Sequence, residues 1–151
     1  MSDNDFTAYE ARYAAFRALS AEILPTNKRT LLDALAASGI VLVVVAFEGS
    51  GDSGQIDSVE AFDASNSPVA LPATSITVRT VSFETLSVAE TSTTIAEFVE
   101  ALAFDLLQET HSGWEDNEGA YGEFRFSVRE RSITLEYHKR YIETHYHEHG
   151  F

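Results

Sequence analysis

The chain has 151 residues, 44% of them hydrophobic and 11% aromatic, and its 24 acidic against 10 basic residues leave a net charge of −14. That composition suits one domain with its own core (residues 1–151) and excludes intrinsic disorder, while the charge excludes a broad basic surface for nucleic acid. The absence of cysteine excludes disulfides, cysteine-ligated zinc and thiol catalysis.

The opening Met1-Ser2-Asp3-Asn4-Asp5 is acidic and has no apolar run behind it, unlike a secretory signal. The longest apolar run, Ile40 to Phe47, is too short to span a bilayer. The expectation is a cytoplasmic protein with no membrane partner. Residues 4–24 read as an amphipathic helix: Phe6, Tyr9, Tyr13, Phe16, Leu19 and Ile23 recur at steps of three and four and form one apolar stripe. Pro25 is expected to end it. Asn27 can cap a second helix, which turns Leu31, Leu32 and Leu35 inward and stops at Gly39. The β-branched run Ile40–Phe47 reads as a central strand buried on both faces.

Residues 49–54, Gly-Ser-Gly-Asp-Ser-Gly, form a loop, and a strand from Gln55 to Asp63 is expected to return antiparallel. A proline-bearing loop follows (66–74), then a strand over 75–83. Thr94-Ile-Ala-Glu97 is a capping box in front of a strong helix with Ile95, Phe98, Val99, Leu102 and Leu106 inward. Gly113 stops that helix and opens a second Gly-rich, acidic loop running to Gly122. Phe124, Phe126 and Val128 alternate, as do Ile133, Leu135 and Tyr137, predicting a hairpin that turns near 129–132. The fold class is therefore α+β: an antiparallel sheet of about five strands with helices packed mainly on one face.

The first loop matches three motifs in part. Gly49, Gly51 and Gly54 have dinucleotide-loop spacing, but the segment behind them reads as a strand, and Asp52 would repel phosphates. Gly51-Asp52-Ser53-Gly54 matches the tetrapeptide around a trypsin-like nucleophile, without an upstream histidine. No lysine follows where a phosphate loop needs one. A hairpin connection whose glycines allow positive φ accounts for the loop without any of these.

The second loop departs from the EF-hand template, since Gly119 at its sixth position would place Trp114 where Asp is needed. Glu115, Asp116, Asn117 and Glu118 still offer oxygen ligands for a hard cation. If the strands flanking the two loops run antiparallel, both loops lie at one end of the sheet. Glu48, Asp52, Glu115, Asp116, Glu118 and Glu123 then share a small region, where they repel unless neutralised. The candidate binding residues are Glu48, Asp52, Ser53, Trp114, Glu115, Asp116, Glu118, Tyr121 and Glu123. Asp52, Glu115 and Asp116 are the candidate metal ligands. A divalent cation is the one cofactor considered, and no catalytic residue is assigned. A weaker idea pairs Ser53 with His111 as a nucleophile and base. His138, His145, His147 and His149 make a histidine-rich tail, read as surface with incidental metal affinity.

The charge is uneven. Between Thr30 and Phe124 there are sixteen acids and one base, Arg79; the flanks hold eight acids and nine bases. An acidic face of this kind attracts a protein with a basic surface.

The stretches Phe47-Glu-Gly-Ser-Gly-Asp-Ser-Gly-Gln-Ile56 and Ala103 to Phe124, with Gly113-Trp-Glu115 at its centre, resemble an uncharacterised family of small proteobacterial proteins. The order of elements is similar too. The resemblance implies a domain of unknown function, often carried on plasmids or other mobile elements, and makes the two loops the functional face. It carries over no activity. The reading is then a non-enzymatic acidic binding protein engaging or inhibiting a basic nucleic-acid-handling partner. The alternative is a cation-binding or metal-dependent hydrolytic domain using the two loops.

Overall fold

The computed structural model describes residues 3–151; Met1 and Ser2, part of the targeting argument, lie outside it. Two helices and seven strands follow in the order α1 (Asp3–Ala37), β1 (Ile40–Ser50), β2 (Ser53–Asp63), β3 (Pro68–Val69), β4 (Ser75–Val81), β5 (Val88–Thr94), α2 (Ile95–Thr110), β6 (Ala120–Ser127) and β7 (Ser132–Lys139). Five strands form an antiparallel sheet in the order β3-β2-β1-β6-β7, and β4 with β5 forms a separate hairpin. The α+β class holds. Among the described residues, no helix is long and apolar enough to cross a membrane.

The two expected N-terminal helices are one. α1 runs through Pro25, although proline removes one helical hydrogen bond and crowds the preceding turn. Contacts on both sides of Pro25 outweigh that cost. Upstream, Tyr9 and Phe16 pack their rings on Phe83, Arg12 donates to the Glu84 carbonyl, and Arg17 pairs with Glu109. Downstream, Leu31, Leu32 and Leu35 are fully buried. The expected apolar stripe is buried only in part: Phe6, Tyr9 and Tyr13 are about half exposed, whereas Phe16, Leu19 and Ile23 are half-buried.

Asn27 is the buried polar residue of this helix. Its side-chain amide donates to the Arg79 carbonyl (2.9 Å), and its side-chain oxygen accepts from the Arg79 N–H (2.8 Å), so it pairs with the edge of β4 as a neighbouring strand would. Asn27→Leu keeps the branching and heavy-atom count of the side chain but strands both Arg79 backbone groups. It is expected to cost about 2–3 kcal/mol, read as a lower urea midpoint with an unchanged slope.

β1 is central but not equally buried on both faces. Val43, Val45 and Phe47 are buried, while Leu42, Val44 and Ala46 alternate with them and are half-buried. The partners of Leu42 and Val44 on β2 and β6 (Phe62, Glu60, Ser127 and Arg125) are themselves half-buried or exposed. Antiparallel neighbours on both sides leave a sheet that faces solvent on one side, as such sheets commonly do. The buried side joins Ala61, Phe124 and Phe126 to Leu31, Leu35, Val99 and Leu107 in one cluster.

Two strands go beyond the expected set. β3 is a two-residue edge within the proline-bearing loop, and β5 follows β4 where no strand was expected. The capping box forms as expected in its forward half: the Glu97 N–H donates to Thr94 Oγ1 at 3.1 Å.

Candidate functional site

The two Gly-rich segments meet. β1 and β6 are antiparallel, with Glu48 opposite Tyr121 and Gly49 opposite Ala120. The Gly51 N–H donates to the Asn117 carbonyl and the Asp52 N–H to the Glu115 carbonyl, each at 3.0 Å. The first loop is only a two-residue turn, because β1 runs to Ser50 and β2 starts at Ser53. Gly51 and Asp52 have φ of 58° and 65°, the left-handed pair of a tight hairpin turn matched to the strand twist. β2, and no helix, follows, which removes the dinucleotide geometry.

Trp114 explains the other glycines. It is 3% exposed and stands edge-on to Phe47 and Phe104 at centroid distances of 5.5 and 5.8 Å. Its six-membered ring lies on the backbone of Gly49 and Gly54. A Cβ at Gly49 would come 2.6 Å from Trp114 Cζ3, and one at Gly54 would strike Cη2. The Gly-x-x-x-x-Gly spacing is thus the floor of an indole slot, and Trp114 belongs to the core rather than to a surface anchor. Its Nε1 is buried without a hydrogen-bond partner among the described residues.

The candidate carboxylates divide among three places. Asp52 and Asp116 face each other at the turn. Lost hydration, and then the Asp52 carboxyl, hold Asp116 above the ordinary carboxylate range. Glu115 is half-buried, with Oε2 unpartnered among the described residues, and its charge adds to the burial that raises the Tyr137 hydroxyl. Glu48 and Glu123 lie on the solvent-facing side of the sheet, paired with Arg140 at 3.0 Å and Arg125 at 2.9 Å. Tyr121 is on that side as well, with the Arg140 guanidinium 4.7 Å above its ring and His138 stacked on it at 4.8 Å. Glu118 borders a shallow cleft next to Tyr121, and Ser53 is exposed at the head of β2. Among the described residues, no group of three or more His, Asp or Glu is arranged to hold a metal ion.

Asp116 carries a pH signature. Its folded form holds a proton more tightly than the unfolded chain, so the contribution to stability is present below the ordinary carboxylate pKa and lost as pH rises through the raised one. Asp116→Asn is therefore expected to melt higher than the parent at neutral pH, with the advantage vanishing on acidification. Thermal melts across that range check it; an unchanged or lower melting point at neutral pH refutes it.

His111 caps α2 and stacks on Tyr137 at 3.6 Å. No hydrogen bond among the described residues joins it to Ser53, so the nucleophile–base pair is not assembled. Arg140, which was not singled out from the sequence, holds the junction together: its N–H donates to the Gly119 carbonyl at 2.9 Å and its side chain reaches Glu48. Of the histidine-rich tail, His145, His147 and His149 are exposed and without regular structure, whereas His138 lies in β7.

A second feature was not anticipated. A half-open cleft of about 540 Å³ lies between α1, the β4–β5 hairpin and α2, walled by Phe16, Leu24, Val78, Phe98, Leu102 and Leu106. Arg17, Arg79, Asp105 and Glu109 border it, and desolvation raises the Asp105 carboxyl. Of its walls only Phe16, Phe98, Leu102 and Leu106 stood out in the sequence, as members of two separate helix stripes.

The model of the Family of unknown function (DUF6878) matches residues 23–151, most of the chain, so the chain belongs to that family. No curated protein and no solved structure matches it.

Proposed function

We propose that this member of a family of unknown function is a non-enzymatic, cytoplasmic binding protein whose acidic surface engages a basic protein partner. If the gene travels on a proteobacterial mobile element, that partner is a nucleic-acid-handling protein, and the carboxylates stand in for phosphates.

One observation supports the reading. Of the sixteen acids between Thr30 and Phe124, only Asp33, Glu48, Glu109 and Glu123 meet an arginine among the described residues. Exposed carboxylates without a base remain along β2 (Asp57, Glu60), at the turn (Asp52, Asp116) and on α2 (Glu97, Glu100). Desolvating such groups is costly unless a partner supplies the counter-charge.

The immobilised chain is expected to retain a basic protein at low salt and release it at roughly 0.5 M salt, where the screening length is only a few ångströms. Asp57→Lys with Glu60→Lys should weaken that retention. Retention indifferent to both salt and charge reversal counts against the proposal. The cation-site alternative has the Asp52–Asp116 pair in its favour but lacks a third ligand. A melting-point rise with Ca²⁺, Mg²⁺ or Mn²⁺ that Asp116→Asn abolishes would restore it.

A further inference from the structure

Residues 141–151 leave β7 as an arm whose polar contacts are internal: the Tyr146 hydroxyl donates to Glu148, and His145 Nε2 lies 3.4 Å from Glu143 Oε1. Tyr141, Ile142 and Tyr146 are 77%, 72% and 80% exposed, against 54% for Phe6 and Tyr9, the most exposed large apolar residues before the arm. Its root is fixed by Arg140, bonded to Gly119 and Glu48. The arm therefore departs from a defined point and presents apolar side chains that none of the described residues covers. The same chain carries an apolar cleft that no described residue fills.

We propose that the arm of one copy docks in the α1/α2 cleft of a second copy, so that the chain self-associates by exchanging arms. The dimensions agree. In an extended arm Ile142 and Tyr146 fall on the same side, roughly 13 Å apart. Phe16 and Leu24, which wall the cleft along α1, are separated by roughly 12 Å of helix rise.

Charge allows a second copy as the occupant. Two chains of −14 repel across most of their surface. At the cleft, Arg17 and Arg79 offset Asp105 and Glu109. The arm and its root carry Lys139, Arg140 and three histidines against Glu143 and Glu148. Both regions are formally neutral in a chain of −14, so they meet without the repulsion that keeps the acidic surfaces apart. Each copy offers one arm and one cleft, so reciprocal exchange closes as a two-fold dimer. The contact is apolar and leaves the acidic surface free, so it stands or falls independently of the function proposed above.

The test is sedimentation of the full chain at micromolar concentrations in roughly 0.5 M salt, where acidic-face contacts are screened. The expected species is a dimer. Ile142→Ser with Tyr146→Ser, confined to the exposed arm, should give a monomer with unchanged circular dichroism. Ala101→Trp, an exposed α2 position that lines the cleft, should also give a monomer by filling it. Mixing the two variants restores one intact arm and one intact cleft, so a mixed dimer weaker than the parent should reappear. A monomeric parent, a dimer that survives the arm substitutions, or a mixture that stays monomeric each overturns the proposal.

Discussion

Trp114→Ala is expected to cost about 3–5 kcal/mol, the range for emptying a buried aromatic site. Domains of this kind hold only about 5–15 kcal/mol in total, so the variant sits near the edge of folding. The indole contacts Phe47, Phe104, Gly49 and Gly54 at once, and no neighbour can collapse into the slot without moving the β1–β2 hairpin. Trp114→Phe keeps part of the ring and removes the unpartnered Nε1, so it should cost clearly less. The glycine floor makes a sharper claim. Gly54→Ala should be strongly destabilising in the parent, because the new methyl strikes the indole. In the Trp114→Ala background the same change should be close to neutral. That non-additivity, of order 1–3 kcal/mol in a double-mutant cycle, is the mark of direct contact. Urea unfolding followed by circular dichroism suits all four proteins, because Trp114 is the chain's only tryptophan. Equal costs in both backgrounds would show that the glycine is there for another reason.

Gly119→Ala is expected to lower stability by about 3 kcal/mol or more, or to prevent folding. Two effects act together. Gly119 has φ +74°, where a side chain costs about 1–2 kcal/mol. Its missing Cβ also points at the Gly49 carbonyl oxygen and the Ser50 Cα, both backbone. A flexible side chain could yield; β1 cannot without giving up its pairing with β6. Gly51→Ala is the control: φ is +58° but no atom lies within 4 Å of the added carbon, so only the conformational cost of about 1–2 kcal/mol applies. Similar losses at the two positions would remove the steric argument.

Much of the fold was legible because local signals agreed with the tertiary structure. Thr94 and Glu97 mark the start of α2 in the residues themselves, and the alternation of Phe124, Phe126 and Val128 shows which side of β6 is buried. The meeting of the two loops followed from a single assumption, antiparallel β1 and β6. The misses have physical causes. Pro25 reads as a stop because local propensity contains nothing about Phe83 or the Leu31–Leu35 anchor. β5 reads Val-Ala-Glu-Thr-Ser-Thr-Thr, largely exposed, so it has no apolar alternation to detect. Trp114 in an acidic loop looks like a surface anchor, and only the glycines beneath it reveal a slot. The α1/α2 cleft is built from three separated segments and has no local signature.

The order β2-β1-β6-β7 has a consequence for how the chain comes together. The β1–β2 hairpin closes through a two-residue turn and can form at once, but β1 must wait for β6: Val45 pairs Phe124, far along the chain. Non-local pairings of this kind slow folding. Until β6 arrives, a valine-rich edge at Val43, Val44 and Val45 lies open to other chains, the setting in which nascent strands aggregate. The segment made during that wait, residues 51–124, holds fourteen acids and a single base. Like-charge repulsion between nascent chains keeps those edges apart for as long as they stay unpaired.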